Sequence, residues 1–269
     1  WKGFMSSLMK GTAILTIGLF LSKILGLIYI FPFYAIVGKE NIGLYQYAYI
    51  PYNIMLSIAI SGLPVAISKF VAKYNAKGDY ETGRRLLKQS IGLMIVTGIV
   101  SFLLLNFLAT PLAKIVISSD EQIYTVEDVA TVIRWVSFAL LVVPIMSSLR
   151  GFLQGNGEFL PTSISQLVEQ IVRIIVLLGA AFLIVIVFKG DIKMALNMSV
   201  FSAFIGGLAG LYVMYYFWKK HKPALDEKLA TSIPSGEYST LSIYKELFTY
   251  SIPVVFVGLG SSLFQLVDM

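Results

Sequence analysis

The chain has 269 residues, 57% of them hydrophobic and 13% charged, with a net charge of +6 and a mean hydropathy of +0.80. That is far too apolar for an ordinary soluble domain and reads as an all-α, polytopic bundle of transmembrane helices. Cysteine is absent and His221 is the single histidine, which excludes disulfide frameworks and thiolate or histidine metal sites; no cofactor is expected.

Seven apolar segments follow one another, at about 12–37, 44–68, 91–117, 129–149, 161–188, 194–217 and 247–269, each near the length that crosses a membrane. The first runs from Thr12 to Val37 and carries Lys23 near its middle. A lysine at that depth costs ~2.5–3.5 kcal/mol, so it faces a partner, a bundle interior or a watery cavity. Pro32 interrupts this segment, and Pro51, Gly62 and Pro64 interrupt the second. Each proline removes a backbone donor, which fits either a static packing kink or the bends that shape a transporter's central site.

From Lys69 to Gln89 the chain turns polar around a Gly78-Asp79 turn, as a basic face against anionic lipid or as a solvated loop. The 118–128 loop holds Asp120, Glu121, Glu127 and Asp128 and no basic residue. Lys114 and Arg134 lie close to helix ends and are expected to snorkel to the interface. Gly151, Gly155 and Gly157 follow no strand, so they read as a tight turn and not as a nucleotide-binding loop. In the fifth segment Ser165, Gln166, Glu169, Gln170 and Arg173 form one polar stripe. Glu169 precedes Arg173 by four residues, the favoured orientation for an ion pair, either structural or gating a vestibule. Gly206 and Gly210 make a small face for close helix packing. Residues 219–245, with Pro223, Pro234 and Gly236, form the longest connection and read as a linker between two halves. The last segment offers Gly258, Gly260, Ser261, Ser262, Gln265 and Asp268.

Scoring alternate connections places 14 Lys and Arg on one side and three on the other, so the N-terminus and the basic loops are expected to be cytoplasmic. Those charges come without a basic aromatic platform, which argues against nucleic-acid binding. Glu169 and Asp268 are the acids well inside the spans, on different helices, so no enzyme constellation forms. The deep cation Lys23 points to an anionic substrate. The chain starts at Trp1 and stops at Met269 inside an apolar run, the pattern expected of a piece of a longer protein.

The block Arg150 to Arg173, reading RGFLQGNGEFLPTSISQLVEQIVR, resembles the helix 4 to helix 5 region of polysaccharide-biosynthesis membrane proteins. Gly11-Thr12, Ser22-Lys23-Ile24-Leu25-Gly26, Gly43-Leu44-Tyr45 and Ser61-Gly62-Leu63-Pro64 agree with it. The resemblance spans essentially the whole chain and is to SpoVB and MurJ-like lipid II flippases, within the multidrug/oligosaccharidyl-lipid/polysaccharide (MOP) exporter superfamily. It implies a two-lobe, alternating-access transporter of the bacterial cytoplasmic (inner) membrane. Residues 1–218 would be the N-terminal six-helix lobe, 219–245 a cytoplasmic linker and 246–269 the start of helix 7. Lys23 occupies the position of a cavity arginine in that family, while Tyr29 stands where a second one is found and Met55-Leu56-Ser57 fills the region of a third.

The function implied is a flippase for a polyprenyl-diphosphate-linked saccharide, lipid II or a related cell-wall precursor. The alternatives are a multidrug exporter of the same superfamily and a non-transporting scaffold for cell-wall synthases. Candidate cavity residues are Lys23, Thr16, Gly26, Tyr29 and Asn53. The expected partners are the lipid-linked oligosaccharide diphosphate, membrane lipids and the C-terminal lobe of the same protein, with cell-wall synthesis proteins as further candidates.

Overall fold

The computed structural model describes residues 2–60, 62–117, 124–233 and 239–267, and their side chains except at 2–8, 116, 240, 254, 255 and 258–267. Asp120, Glu121, Pro234, Gly236 and Asp268, singled out above, lie outside the described residues. The described chain is almost wholly helical: α1 (Lys2–Ile28), α2 (Ile30–Val37), α3 (Ile42–Ile60), α4 (Leu63–Ala76), α5 (Tyr80–Phe107), α6 (Ala109–Val116), α7 (Val126–Ser137), α8 (Val143–Gly155), α9 (Leu160–Ala181), α10 (Ile192–Ala230) and α11 (Thr240–Val267). Among the described residues six stretches are long and apolar enough to cross a membrane: α1 with α2, α3 with α4, α5, α7 with α8, α9 with its extension to Val187, and α10.

The breaks within spans have local causes. The first span breaks at Tyr29, and Pro32 then sits in the first turn of α2, where a missing N–H leaves no intrahelical bond unmade. The second breaks at Gly62, whose φ of 78° lies in the left-handed region that a side chain disfavours, and Pro64 follows in the first turn of α4. Pro51, by contrast, sits inside a continuous α3.

The bundle is held by α9 against α10, α4 against α8, α1 against α9, and α3 against α7. Gly151 and Gly155, expected in a turn, lie inside α8 and let it press on α4: a Cβ at these positions would meet the Pro64 carbonyl oxygen at 2.5 Å and that of Ser68 at 2.7 Å. Only Gly157, with φ of 86°, serves the turn that follows.

At one end of the bundle the connections tie to each other. The Gly78 carbonyl accepts from Ile233 N at 2.9 Å, Asn75 donates to Asn156 at 2.9 Å, and Arg84 pairs with Asp226. The stretch expected to be a linker is helical as far as Ala230. The 39 residues of α10 extend about 58 Å at ~1.5 Å per residue, well beyond a ~30 Å apolar layer, so the hydropathy falls where the helix leaves that layer rather than where it ends.

At the opposite end, Thr125 and Asp128 form a reciprocal cap on α7, and Lys193 donates to Asp128 at 2.8 Å. Tyr124 donates to Asn41, and burial, helped by the Glu40, Asp128 and Asp191 carboxylates, pushes its phenol up to about 12. Arg134 reaches Glu127 at 2.8 Å and Thr110 at 3.1 Å, while Lys114 is exposed.

Candidate functional site

Helix α1 lies along α9 in parallel register, with Gly11 against Phe159, Gly18 against Ser163 and Gly26 against Gln170. Ser163 also donates to the Ile14 carbonyl at 3.1 Å. This fixes which side of α1 stays open. Thr12, Thr16 and Lys23, spaced four and seven apart, are exposed on one face of the helix. Thr16 returns its hydroxyl to the Thr12 carbonyl at 2.9 Å, which satisfies it without a partner helix. Lys23 forms no ion pair among the described residues. Gly26, one turn further on, faces α9 instead of the open side.

Tyr29, at the α1–α2 break, belongs to a different arrangement. Its hydroxyl lies 3.1 Å from that of Tyr45, which donates to Tyr49 at 3.3 Å, and the rings of Tyr49 and Tyr52 pack edge-on at 5.8 Å. Asn53 is half-buried on α3 beside Tyr52. The candidate cavity residues therefore divide into an open cationic face on α1 and a string of phenols running into the lobe.

Behind the phenols lies a compact charged cluster. Glu169 accepts from Arg173 Nη2 at 2.8 Å through Oε1 and from Arg150 Nη2 at 2.9 Å through Oε2. The same Arg150 nitrogen donates to Ser165 Oγ at 2.8 Å, and Ser165 donates to the Gly210 carbonyl at 2.9 Å. Glycine on α10 makes room for this. A Cβ at Gly206 would meet the Glu169 carbonyl oxygen at 2.7 Å and Arg173 Cβ at 3.0 Å. The spacing predicts the Glu169–Arg173 pair, whereas Arg150 is one of the 14 basic residues that the count over alternate connections assigns to loops. Its signal in the sequence is the helical pattern continuing unbroken from Val143 to Gly155.

These features define a polytopic membrane protein with the fold of one lobe of a MOP-type transporter. The described chain resembles a MOP superfamily transporter from Pyrococcus furiosus with a TM-score of 0.69 at 16% identity, over 94% of this chain and 53% of that one. It resembles MATE solved in complex with MaD5 with a TM-score of 0.76 at 14% identity, over 96% and 55% respectively. The chain belongs to the polysaccharide biosynthesis protein family, whose profile matches residues 8–269. Among curated proteins of Bacillus subtilis it is 46% identical over 264 residues to the lipid II flippase MurJ, covering 98% of this chain and 48% of that protein. It is 28% identical to stage V sporulation protein B, covering 96% and 48%. The chain thus spans about half the length of the curated relatives it matches.

Proposed function

We propose that this chain is the N-terminal lobe of a flippase that carries a polyprenyl-diphosphate-linked saccharide, lipid II or a related cell-wall precursor, across the bacterial cytoplasmic membrane by alternating access. The observation that carries the reading is Lys23, exposed at mid-span on the polar face of α1, in a chain 46% identical to a lipid II flippase. An ammonium in that position attracts a diphosphate strongly because the apolar surroundings screen its charge poorly. The 14-to-3 bias of Lys and Arg supports placing the N-terminus, the α4–α5 turn and the end of α10 in the cytoplasm. Helix α11 then begins the second lobe.

The test is complementation of a flippase-depleted strain by the full-length protein, with lipid II at the outer surface measured directly. Lys23→Ala is expected to abolish rescue and surface lipid II, and Lys23→Arg to retain both. Normal export by the alanine variant would leave the scaffold reading, and unchanged lipid II with altered dye efflux would favour a multidrug exporter.

A further inference from the structure

The part of α10 that leaves the apolar layer does not end free. Past Pro223, which removes one intrahelical bond, the helix runs on to Ala230, and the residues after it fasten to the α4–α5 turn. Asp226 pairs with Arg84, and the Ile233 N–H donates to the Gly78 carbonyl at 2.9 Å. Between these two ties lies a third. The Glu81 N–H, one of the first-turn donors that α5 cannot satisfy within itself, donates to Ser232 Oγ at 3.0 Å. Asp79 caps the neighbouring donor, that of Thr82, from within the turn. Helix α5 is thus capped in part by a residue 151 positions further along the chain.

The three ties complement each other. The ion pair is weak by itself because both side chains are partly exposed, but the two hydrogen bonds are directional and fix Ser232 and Ile233 against a turn. What they hold is the start of a short tether. Six positions after Ile233, Ser239 accepts from the Ser242 N–H at 3.2 Å and so caps α11. A chain of that length spans at most ~22 Å whatever its conformation. Fixing its near end on the bundle therefore fixes the sphere within which α11 can begin.

We propose that the end of α10 is a strap: fastened to the α4–α5 turn through Asp226, Ser232 and Ile233, it limits how far the start of α11 can travel from that turn. The strap acts in one direction. A chain resists stretching and not slackening, so it leaves the arrangement in which α11 lies on α3 and α4 unopposed and stops only its departure. That α11 opens the second lobe, so that the strap limits the parting of two lobes, rests on the proposed function; the restraint itself does not.

The experiment reads the distance between spin labels at Lys77→Cys and Leu241→Cys, both exposed positions, in the full-length protein free of other cysteines and held in nanodiscs. Ser232→Ala with Asp226→Asn is expected to add a population longer by about 10 Å, the length of the three residues after α10 that are released. Inserting Gly-Ser-Gly after Ile233, with the ties intact, is expected to add the same population, because only the length of the tether has changed. Ser232→Ala alone removes one surface hydroxyl and reports in the same direction even where the double variant does not fold. A merely structural contact lowers the melting temperature of the double variant and leaves the distances as they were. Unchanged distances in the insertion variant, or a shift in the insertion variant with none in the double variant, overturn the strap. A longer population in a protein whose lipid II export does not depend on Lys23 keeps the strap and removes the flippase reading. Export that depends on Lys23 with distances indifferent to Ser232 and Asp226 keeps the flippase and removes the strap.

Discussion

Glu169 holds two guanidiniums in a largely buried part of the bundle, and the magnitudes make the three residues unequal. Removing the carboxylate leaves two buried cations facing each other, and breaking a buried pair from one side costs ~3–5 kcal/mol. Removing Arg150 leaves Glu169 and Arg173 as a neutral pair 2.8 Å apart on adjacent turns. Glu169→Ala is therefore expected to lower the melting temperature of the full-length protein clearly more than Arg150→Met, whose apolar stem retains the packing between α8 and α9. Equal losses in a thermal melt would show that the charge imbalance is not what Glu169 relieves. The Glu169–Arg173 pair was legible in the sequence because four residues on a helix is a local rule. Arg150 was not, because it reaches Glu169 across the turn between α8 and α9, and no local period links residues 19 positions apart.

At the scale of elements, six of the seven apolar segments were legible as spans because apolar runs report the membrane layer directly, and the breaks were legible because proline and glycine act on their own backbone. What escaped was the reach of helices outside the layer. Residues 219–230 carry the charges of a linker but continue α10, and Arg150 to Gly155 continue α8 for the same reason. Close packing was also only half visible. The Gly206 and Gly210 spacing fits many helices, but here it sets α10 against the backbone of Glu169. Gly206→Val forces the Glu169 carbonyl oxygen away from a position 2.7 Å from the new Cβ, an overpacking that costs ~1–3 kcal/mol or more because backbone and not a flexible side chain must move. The expected outcome is a lower melting temperature and disturbed Glu169–Arg173 geometry, whereas Gly157→Ala, at a turn with open space around it, is expected to lose only the ~1–2 kcal/mol of a left-handed residue.

For the whole molecule, the telling contact is the seam that α11 makes with α4 and α5. Glu246 accepts from Lys73 at 2.9 Å and from Tyr74 at 2.8 Å, the Lys69 ammonium sits 4.0 Å from the centre of the Tyr250 ring, and Tyr244 donates to the Gln89 carbonyl at 3.4 Å. A hollow lined by Phe70, Ser242, Lys245, Glu246, Thr249 and Tyr250 remains within it. The Lys73 and Glu246 side chains are 39% and 32% exposed, so their pair is worth only ~0–1 kcal/mol. Under the proposed function, in which α11 begins the second lobe, a pair this weak is one that a transport cycle can make and break. The magnitudes then separate two variants. Lys73→Ala removes a weak attraction and is expected to change export by about threefold at most. Lys73→Glu sets two carboxylates against each other beside a phenol that can serve only one of them, and is expected to disfavour the closed seam and cut export severalfold. The exchange Lys73→Glu with Glu246→Lys restores the attraction with its direction reversed and is expected to recover most of the loss. Export by the exchanged protein no better than that of Lys73→Glu alone would mean that the two residues do not act through each other, and the seam would then be a passive contact between helices rather than a closure that the cycle must break.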